Sequence, residues 1–486
     1  MHRSEKGSRR VAATVDLTTG PLFKRIILYT LPIILTGILQ LLFNTADLVV
    51  VGHSTNPAAL DAVGSTGSLI NLIVNVLIGL SVGAGVMAAR YFGSRDETKL
   101  SELIHTAIPT AAIGGVLFGA VGCAFGDKFL QWMDTPPEVI EEATLYVRIY
   151  CAGIPFSILY NFGASILRSV GDTTRPLIFL VIAGVVNVCF NLLFVFAFKM
   201  DVDGVATATV ISQVLSCALV LGYMMKIKEP HRLELKKMRL RKEPFLRILA
   251  IGLPAGVQGS LFSVSNIIIQ RAINGFGSSL LGGNAAASNL EGYVYTSMNA
   301  FHQTALTFTG QHLGAKKYAR LKKIIGLCLI CVSVVGVILG VGVFLLGKPL
   351  LGIYSPNENV VTYGLIRLQF IALPYFLCGV MDVLGGVLRG MGYSFSSMLI
   401  TLTCVCGYRI IWVYTYFAQA AHHTYYGLLL SYPISWAVCS VLQGALLIFA
   451  FIRLNKKAKK EAGSDLEAPM SEGLPSKTPQ EDDPAA

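Results

Sequence analysis

Twelve apolar runs of about 20 or more residues follow one another along the chain. They lie at 26–52, 65–90, 103–125, 139–166, 176–198, 204–226, 247–274, 282–311, 323–346, 360–388, 396–417 and 426–452. At ~1.5 Å per residue, each reaches across a ~30 Å hydrocarbon layer. Continuous apolar stretches exclude a β-barrel, whose strands alternate in polarity over ~10 residues. A soluble fold is excluded as well, because 53% of the 486 residues are hydrophobic and only 14% charged. The expected fold is all-α and membrane-integral, with twelve transmembrane helices.

Basic residues set the orientation. Of the 39 Lys and Arg, 32 fall in the N-terminal tail, the even-numbered links or the C-terminal tail. The odd-numbered links hold only Lys128, Lys199, Arg271 and Lys348, and Arg148, Arg367 and Arg409 lie inside or at the edges of spans. This asymmetry predicts a multi-pass protein of the cell membrane with both termini cytoplasmic. The net charge of +11 is spread over short links, so it reads as topology and not as nucleic-acid binding. The opening MHRSEKGSRRVAATVDLTTG lacks the apolar core of a signal peptide. Cys328 and Cys331 form a C-x-x-C with no second pair, which predicts buried thiols and no metal site.

The chain also repeats itself. LPIILTGILQLLFN (31–44) aligns with LPAGVQGSLFSVSN (253–266), and ARYFGSRD (89–96) with GQHLGAKK (310–317). LRSVGDT (167–173) aligns with LRGMGYS (388–394), placing Arg168 on Arg389 and Gly171 on Gly392. Six spans per repeat make the repeats parallel, giving two bundles related by a pseudo-twofold axis along the membrane normal. The predicted organisation is a tail at 1–25, a six-helix bundle at 26–226 and a basic linker at 227–246. A second bundle follows at 247–452, then a disordered tail at 453–486. Two bundles meeting at an axis form a cleft able to open to either face, which is the architecture of a carrier.

Three acids fall well inside spans: Asp47, Glu291 and Asp382. An ionised, unpaired carboxylate there is costly, so each must line a cavity, meet a cation or hold a proton. All three are candidates for coupling to H+ or Na+. Gln40, Asn44 and Asp47 share one helix face. Asn187 with Asn191, and Asn71 with Asn75, repeat the four-residue spacing, which predicts a polar cluster in the outer half of the first bundle. Asn266, aligned with Asn44, is its counterpart in the second. Tyr293, Tyr295, Met298, Phe301, Met381 and Met391 lie near the later acids, where flat apolar cations would find dispersion and cation–π contacts.

The LP…Q-x-x-x-N-x-x-D run of the first span, YFGSRD after the second and LRSVGDTTRP after the fourth resemble prokaryotic multidrug and toxic compound extrusion transporters. The resemblance covers nearly all of residues 20–455. It implies a secondary active transporter that exports organic cations by alternating access in antiport with H+ or Na+. No cofactor and no enzyme activity are implied, and a monomer in the lipid bilayer is expected. It also implies that Asp47 couples the cation and that Asp382 resembles an acid of the tenth span. The chain departs from the family pattern in carrying Asn187 and Asn191 where an Asn and an Asp are usual, and in having no acid at 247–274. The alternative is a flippase of a lipid-linked saccharide on the same superfamily fold, for which a cleft rich in Arg or Lys is expected. A membrane enzyme would need a His/Cys/Asp constellation, and His302 and His312 are scattered.

Overall fold

The computed structural model describes residues 15–52, 58–133, 135–419 and 422–466, and no strand occurs among them. The first six spans are α1 (Leu22–Gly52), α2 (Ala58–Gly93), α3 (Glu97–Trp132), α4 (Ile140–Ser169), α5 (Thr174–Leu192, continued by a π turn to Ala197) and α6 (Val202–Lys226). The next three are α7 (Lys242–Asn274), α8 (Ser278–Gly314) and α9 (Tyr318–Leu345), followed by a short α10 (Gly347–Tyr354). The last three are broken. Pro374 interrupts the tenth between α11 (Glu358–Ile371) and α12 (Phe376–Met391), because proline supplies no amide for the helical ladder. A π segment separates α13 (Ser394–Thr401) from α14 (Tyr408–Tyr414), and the twelfth comprises α15 (Tyr425–Leu429) and α16 (Ser431–Leu466).

Among the described residues, eleven helical segments are long and apolar enough to cross a bilayer; of the twelve expected spans, α8 is the exception. Its 37 residues include buried Asn284, Glu291, His302, Gln311 and His312. These side chains face protein, since α8 packs on α1, α2, α9, α11 and α12. The helix is polar because it lies in the interior of the molecule, where its polar groups find partners.

The repeat is written in the backbone. Arg95 and Lys316 both take a left-handed conformation, φ 57° and 56°, in the turns that follow α2 and α8. Gly171 and Gly392 do the same at φ 94° and 95° after α4 and α12. A Cβ on Gly171 would collide with the Val15 carbonyl.

The two six-helix bundles meet along α1, α2, α7 and α8. The α2–α7 seam is backbone on backbone, with Gly79 against Gly256 and Gly252 2.7 Å from Leu80 Cα for an added Cβ. The α1–α8 seam is polar: Thr30 and Thr304 hydroxyls are 2.8 Å apart, and Tyr29 donates to Thr307 at 3.1 Å. The carboxyl ends of α2 and α8 touch through Gly93, on Gln311, and Gly314, on Arg90.

The segment Val15–Gly20 is docked at the same end. The Leu17 amide donates to Gln311 Oε1 at 3.2 Å, and Lys317 donates to the Thr18 carbonyl and hydroxyl at 3.1 and 2.9 Å. Burial works against the charge of Asp16. The hydroxyl and amide of Thr18, with Lys317 and Arg95, more than offset that and hold its carboxyl below the usual range.

The linker between the halves is docked onto the start of α3. His105 Nε2 accepts from the Glu234 amide at 2.9 Å, the His105 carbonyl accepts from the Arg239 amide at 3.1 Å, and Arg241 pairs with Glu102. Helix α16 runs on to Leu466, into the tail expected to be disordered over 453–486, because KKAKKEA is rich in strong helix formers. Residues up to 443 form one compact unit and Gly444 begins another, in which Arg453 lies 4.9 Å from the Phe449 ring. Residues 1–14 and 467–486 of the expected tails lie outside the described residues.

Candidate functional site

Each half carries a cavity of similar size. The first, about 510 Å³, is lined by Gln40, Asn44, Asp47, Asn71 and Asn187. The second, about 500 Å³, is lined by Asn75, Asn266, Glu291 and Asp382. Asn44 and Asn266, equivalent in the repeat, thus line equivalent cavities. Tyr295 on α8 borders both.

Asp47 has one hydrogen-bond partner among the described residues, the side-chain amide of Asn191. Asn191 is fully buried and also donates to Asn187 Oδ1 at 3.3 Å. Asn187 Nδ2 in turn reaches the Thr209 hydroxyl at 3.5 Å. The fifth span therefore presents a neutral amide pair to a half-buried carboxylate, and among the described residues no basic side chain closes the contact. A carboxylate held this way can still take a proton or a small cation on its free lone pairs.

Asn75 departs from the expected cluster. Four residues of helix turn it ~40° from Asn71. Because α2 stands between the halves, that rotation delivers Asn75 to the second cavity, against Gly259.

Glu291 is bound differently. Arg367 of α11 donates to both of its oxygens, Nε to Oε1 at 3.0 Å and Nη2 to Oε2 at 2.8 Å. The Arg367 Nη1 donates to Asn284 Oδ1 at 2.6 Å, and Tyr425 donates to the same oxygen at 3.1 Å. Both members of this fork are more than nine-tenths buried.

Asp382 makes no ion pair among the described residues, and its Oδ2 is buried without a hydrogen bond. It borders the second cavity and a small adjoining one of about 130 Å³, which it shares with Gln258, His302 and Arg389. His302 Nδ1 lies 2.6 Å from the Asp382 carbonyl, an acceptor, so that nitrogen carries the hydrogen. Its Nε2 then accepts from Arg389 Nη1 at 3.3 Å, which fixes the imidazole as neutral. Arg389 Nη2 donates to Gln258 Oε1 at 2.7 Å.

Arg367, Arg389, Arg409, His302 and Gln258 were not among the expected site residues. Their signal was present in Arg367 and Arg409, two cations inside apolar runs, which carry the same desolvation cost as the acids. Of the side chains expected near the acids, Tyr295 and Met381 line cavities, whereas Met298 and Phe301 are packed into the core. The ten cysteines are all free thiols, eight of them buried.

A family model described as MatE matches residues 32–193 and again 254–415, once in each half. The probable multidrug resistance protein YoeA of Bacillus subtilis is 25% identical, over 89% of this chain and 94% of its own length. YpnP, a second probable multidrug resistance protein of that organism, is 26% identical over 80% of this chain and 86% of its own. A solved structure of a multidrug resistance MATE family transporter of the MOP superfamily, in an outward-facing conformation, superposes with a TM-score of 0.83. It is 20% identical and covers 92% of this chain and 99% of its own.

Proposed function

Because the chain belongs to the MatE family of multidrug transporters, we propose that it exports small organic compounds, cations among them, by alternating access in antiport with H+ or Na+. It is a multi-pass membrane transporter and not an enzyme, and the family works without a cofactor beyond the coupling ion. The observation that carries the antiport reading is the state of Asp47. It is a cavity-lining acid whose protein partner is a neutral amide, so loading and release of a cation change its charge without breaking an ion pair. Asp382 fills the corresponding role in the second cavity, with His302 and Arg389 behind it. Glu291 already has a permanent counter-charge in Arg367, so it is assigned the weaker part in coupling. Gln40, Asn44, Asn71 and Asn187 form the polar wall of the first cavity, with Asn191 buried behind Asp47, and Asn75 and Asn266 form that of the second.

The domain limits read from the sequence, with bundles at 26–226 and 247–452 around a basic linker at 227–246, are kept as part of this proposal, as are a monomeric unit and cytoplasmic termini. With that orientation, the end closed by Val15–Gly20, Gly93 and Gly314 faces the cytoplasm. The structure then corresponds to an outward-facing state, ready to exchange substrate for the coupling ion. A saccharide-lipid flippase is not favoured, since the curated relatives are named as multidrug resistance proteins.

The test is ethidium transport by the purified chain in proteoliposomes under imposed proton or sodium gradients. The wild type is expected to move dye under one of the two, and Asp47→Asn to fall to the level of empty vesicles while remaining folded by size exclusion. Normal dye movement by Asp47→Asn, or none by the wild type under either gradient, refutes the reading.

A further inference from the structure

The second cavity holds a cation that its own acids do not match. Glu291 and Arg367 neutralise each other. Asp382 faces Arg389 across the small adjoining cavity. Arg409 of α14 is left over. It is 5% exposed and borders the second cavity, and it has no carboxylate within ion-pair distance among the described residues.

The environment of Arg409 fixes which part of it is available. Its guanidinium carbon lies 4.1 Å from the Tyr432 ring centre and 5.9 Å from that of Trp436. Aromatic rings attract the charge but accept none of the in-plane hydrogen bonds. One such bond is used, from Nε to Ser435 Oγ at 3.1 Å. The N–H groups of Nη1 and Nη2 have no acceptor among the described residues. A buried guanidinium with its terminal donors unused and its charge unmatched suits a planar oxyanion, above all a carboxylate. Beside it stands an aromatic wall: Tyr375 and Trp436 have ring centres 5.2 Å apart, and Tyr295 stacks on Tyr375 at 6.5 Å. All of these rings border the same cavity.

We propose that Arg409 sets the specificity of the second cavity by receiving the carboxylate of acid-bearing aromatic substrates. The substrate ring lies along Tyr295, Tyr375 and Trp436, and the carboxylate takes the Arg409 terminal nitrogens. Asp382, bordering the same space, meets the cationic end. This deepens the transport reading given above, on which it rests, by naming a specificity-determining residue.

The experiment compares two dyes that differ in one group: rhodamine 110, which has a free carboxylate, and rhodamine 123, its methyl ester. Binding to the purified full-length chain in detergent is followed by fluorescence anisotropy. The wild type is expected to prefer the acid. Arg409→Gln should weaken binding of the acid by about 10-fold or more, the usual consequence of losing a charge-assisted hydrogen bond. The ester should change by less than about threefold, within the range of side-chain truncation away from a contact. Arg409→Lys keeps the charge but not the fork, so the acid-to-ester ratio should fall part of the way. It carries the test alone if the glutamine variant does not fold. An unchanged ratio in the folded variants, or equal loss for both dyes, overturns the proposal. Equal loss would mean that Arg409 serves Asp382 or the packing of α14. If vesicles transport rhodamine 123 while the ratio ignores Arg409, this inference fails and the transport reading stands. If vesicles move neither dye, the transport reading fails, and the binding ratio still decides the role of Arg409.

Discussion

Glu291 and Arg367 are 76 residues apart in sequence and form a two-point contact in the interior. Removing one partner of such a pair leaves the other charge buried and unmet, which costs about 3–5 kcal/mol. Glu291→Gln is therefore expected to lower the thermal unfolding midpoint of the protein in detergent sharply. The double variant Glu291→Gln/Arg367→Gln should recover much of that loss, because two neutral amides leave no orphaned charge. A Glu291→Gln protein as heat-resistant as the wild type would show that Arg367 has another counter-charge. At this scale the sequence was partly legible. Asp47 stood out because one carboxylate in an apolar run must be accounted for, and its partner Asn191 lay on the span expected to face it. Which cation Glu291 meets was not legible, since the tenth and eighth spans are brought together only by packing. Asn75 was misplaced for a related reason: helix spacing gives relative angles but not which neighbour fills each angle.

Elements show the same division. Twelve spans were read as apolar runs, but the eighth, at 282–311, is the polar α8. The break at Pro374 was not legible, because Pro32, Pro109, Pro155 and Pro254 lie inside unbroken helices. The linker read as a charged connector, and its docking on α3 was invisible because, beside the Arg241–Glu102 pair, it rests on backbone groups and His105. His231 in that linker is 1% exposed. Burial, reinforced by the charge of Arg175, lowers its pKa to about 4, even with the Glu229 carboxylate 3.5 Å from Nε2. An undocked linker would titrate near 6.5. Above about pH 6.5 both forms are neutral and docking does not depend on this group. As pH falls from there toward 4, only the undocked form takes up the proton, so docking weakens, by at most about 3 kcal/mol. Hydrogen exchange of residues 228–241, corrected for intrinsic rates, should show less protection at pH 5 than at pH 7. His231→Leu should remove most of that difference. Equal protection at both pH values in the wild type would mean that the imidazole is hydrated in place.

At the scale of the whole molecule, the halves meet at an end rich in basic residues, among them Arg95, Lys99, Lys317 and Arg320. The proposed orientation is tested by placing single cysteines at Asn357, before α11, and at Ser94, after α2. With an impermeant thiol reagent outside intact cells, Asn357→Cys should label above the wild-type background and Ser94→Cys only after permeabilisation. External labelling at Ser94 would reverse the orientation and make the structure inward-facing. The repeat that generates the two halves was readable from three aligned segments, and the matched turns at Arg95 and Lys316 give it a backbone counterpart. How the halves are held shut was not readable, because the contacts are made by glycine backbones and by a short polar segment ahead of α1.

That segment has a consequence for biogenesis. The partners of Leu17 and Thr18, which are Gln311, Lys317 and Arg320, lie 294 to 302 residues further along the chain. Leu17 and Thr18 therefore leave the ribosome long before these partners exist, and wait at the membrane surface while eight helices are threaded. Such distant pairing is slow to form by its nature. A nascent chain stalled before α8 lacks these contacts, although its α2 and α7 can already meet.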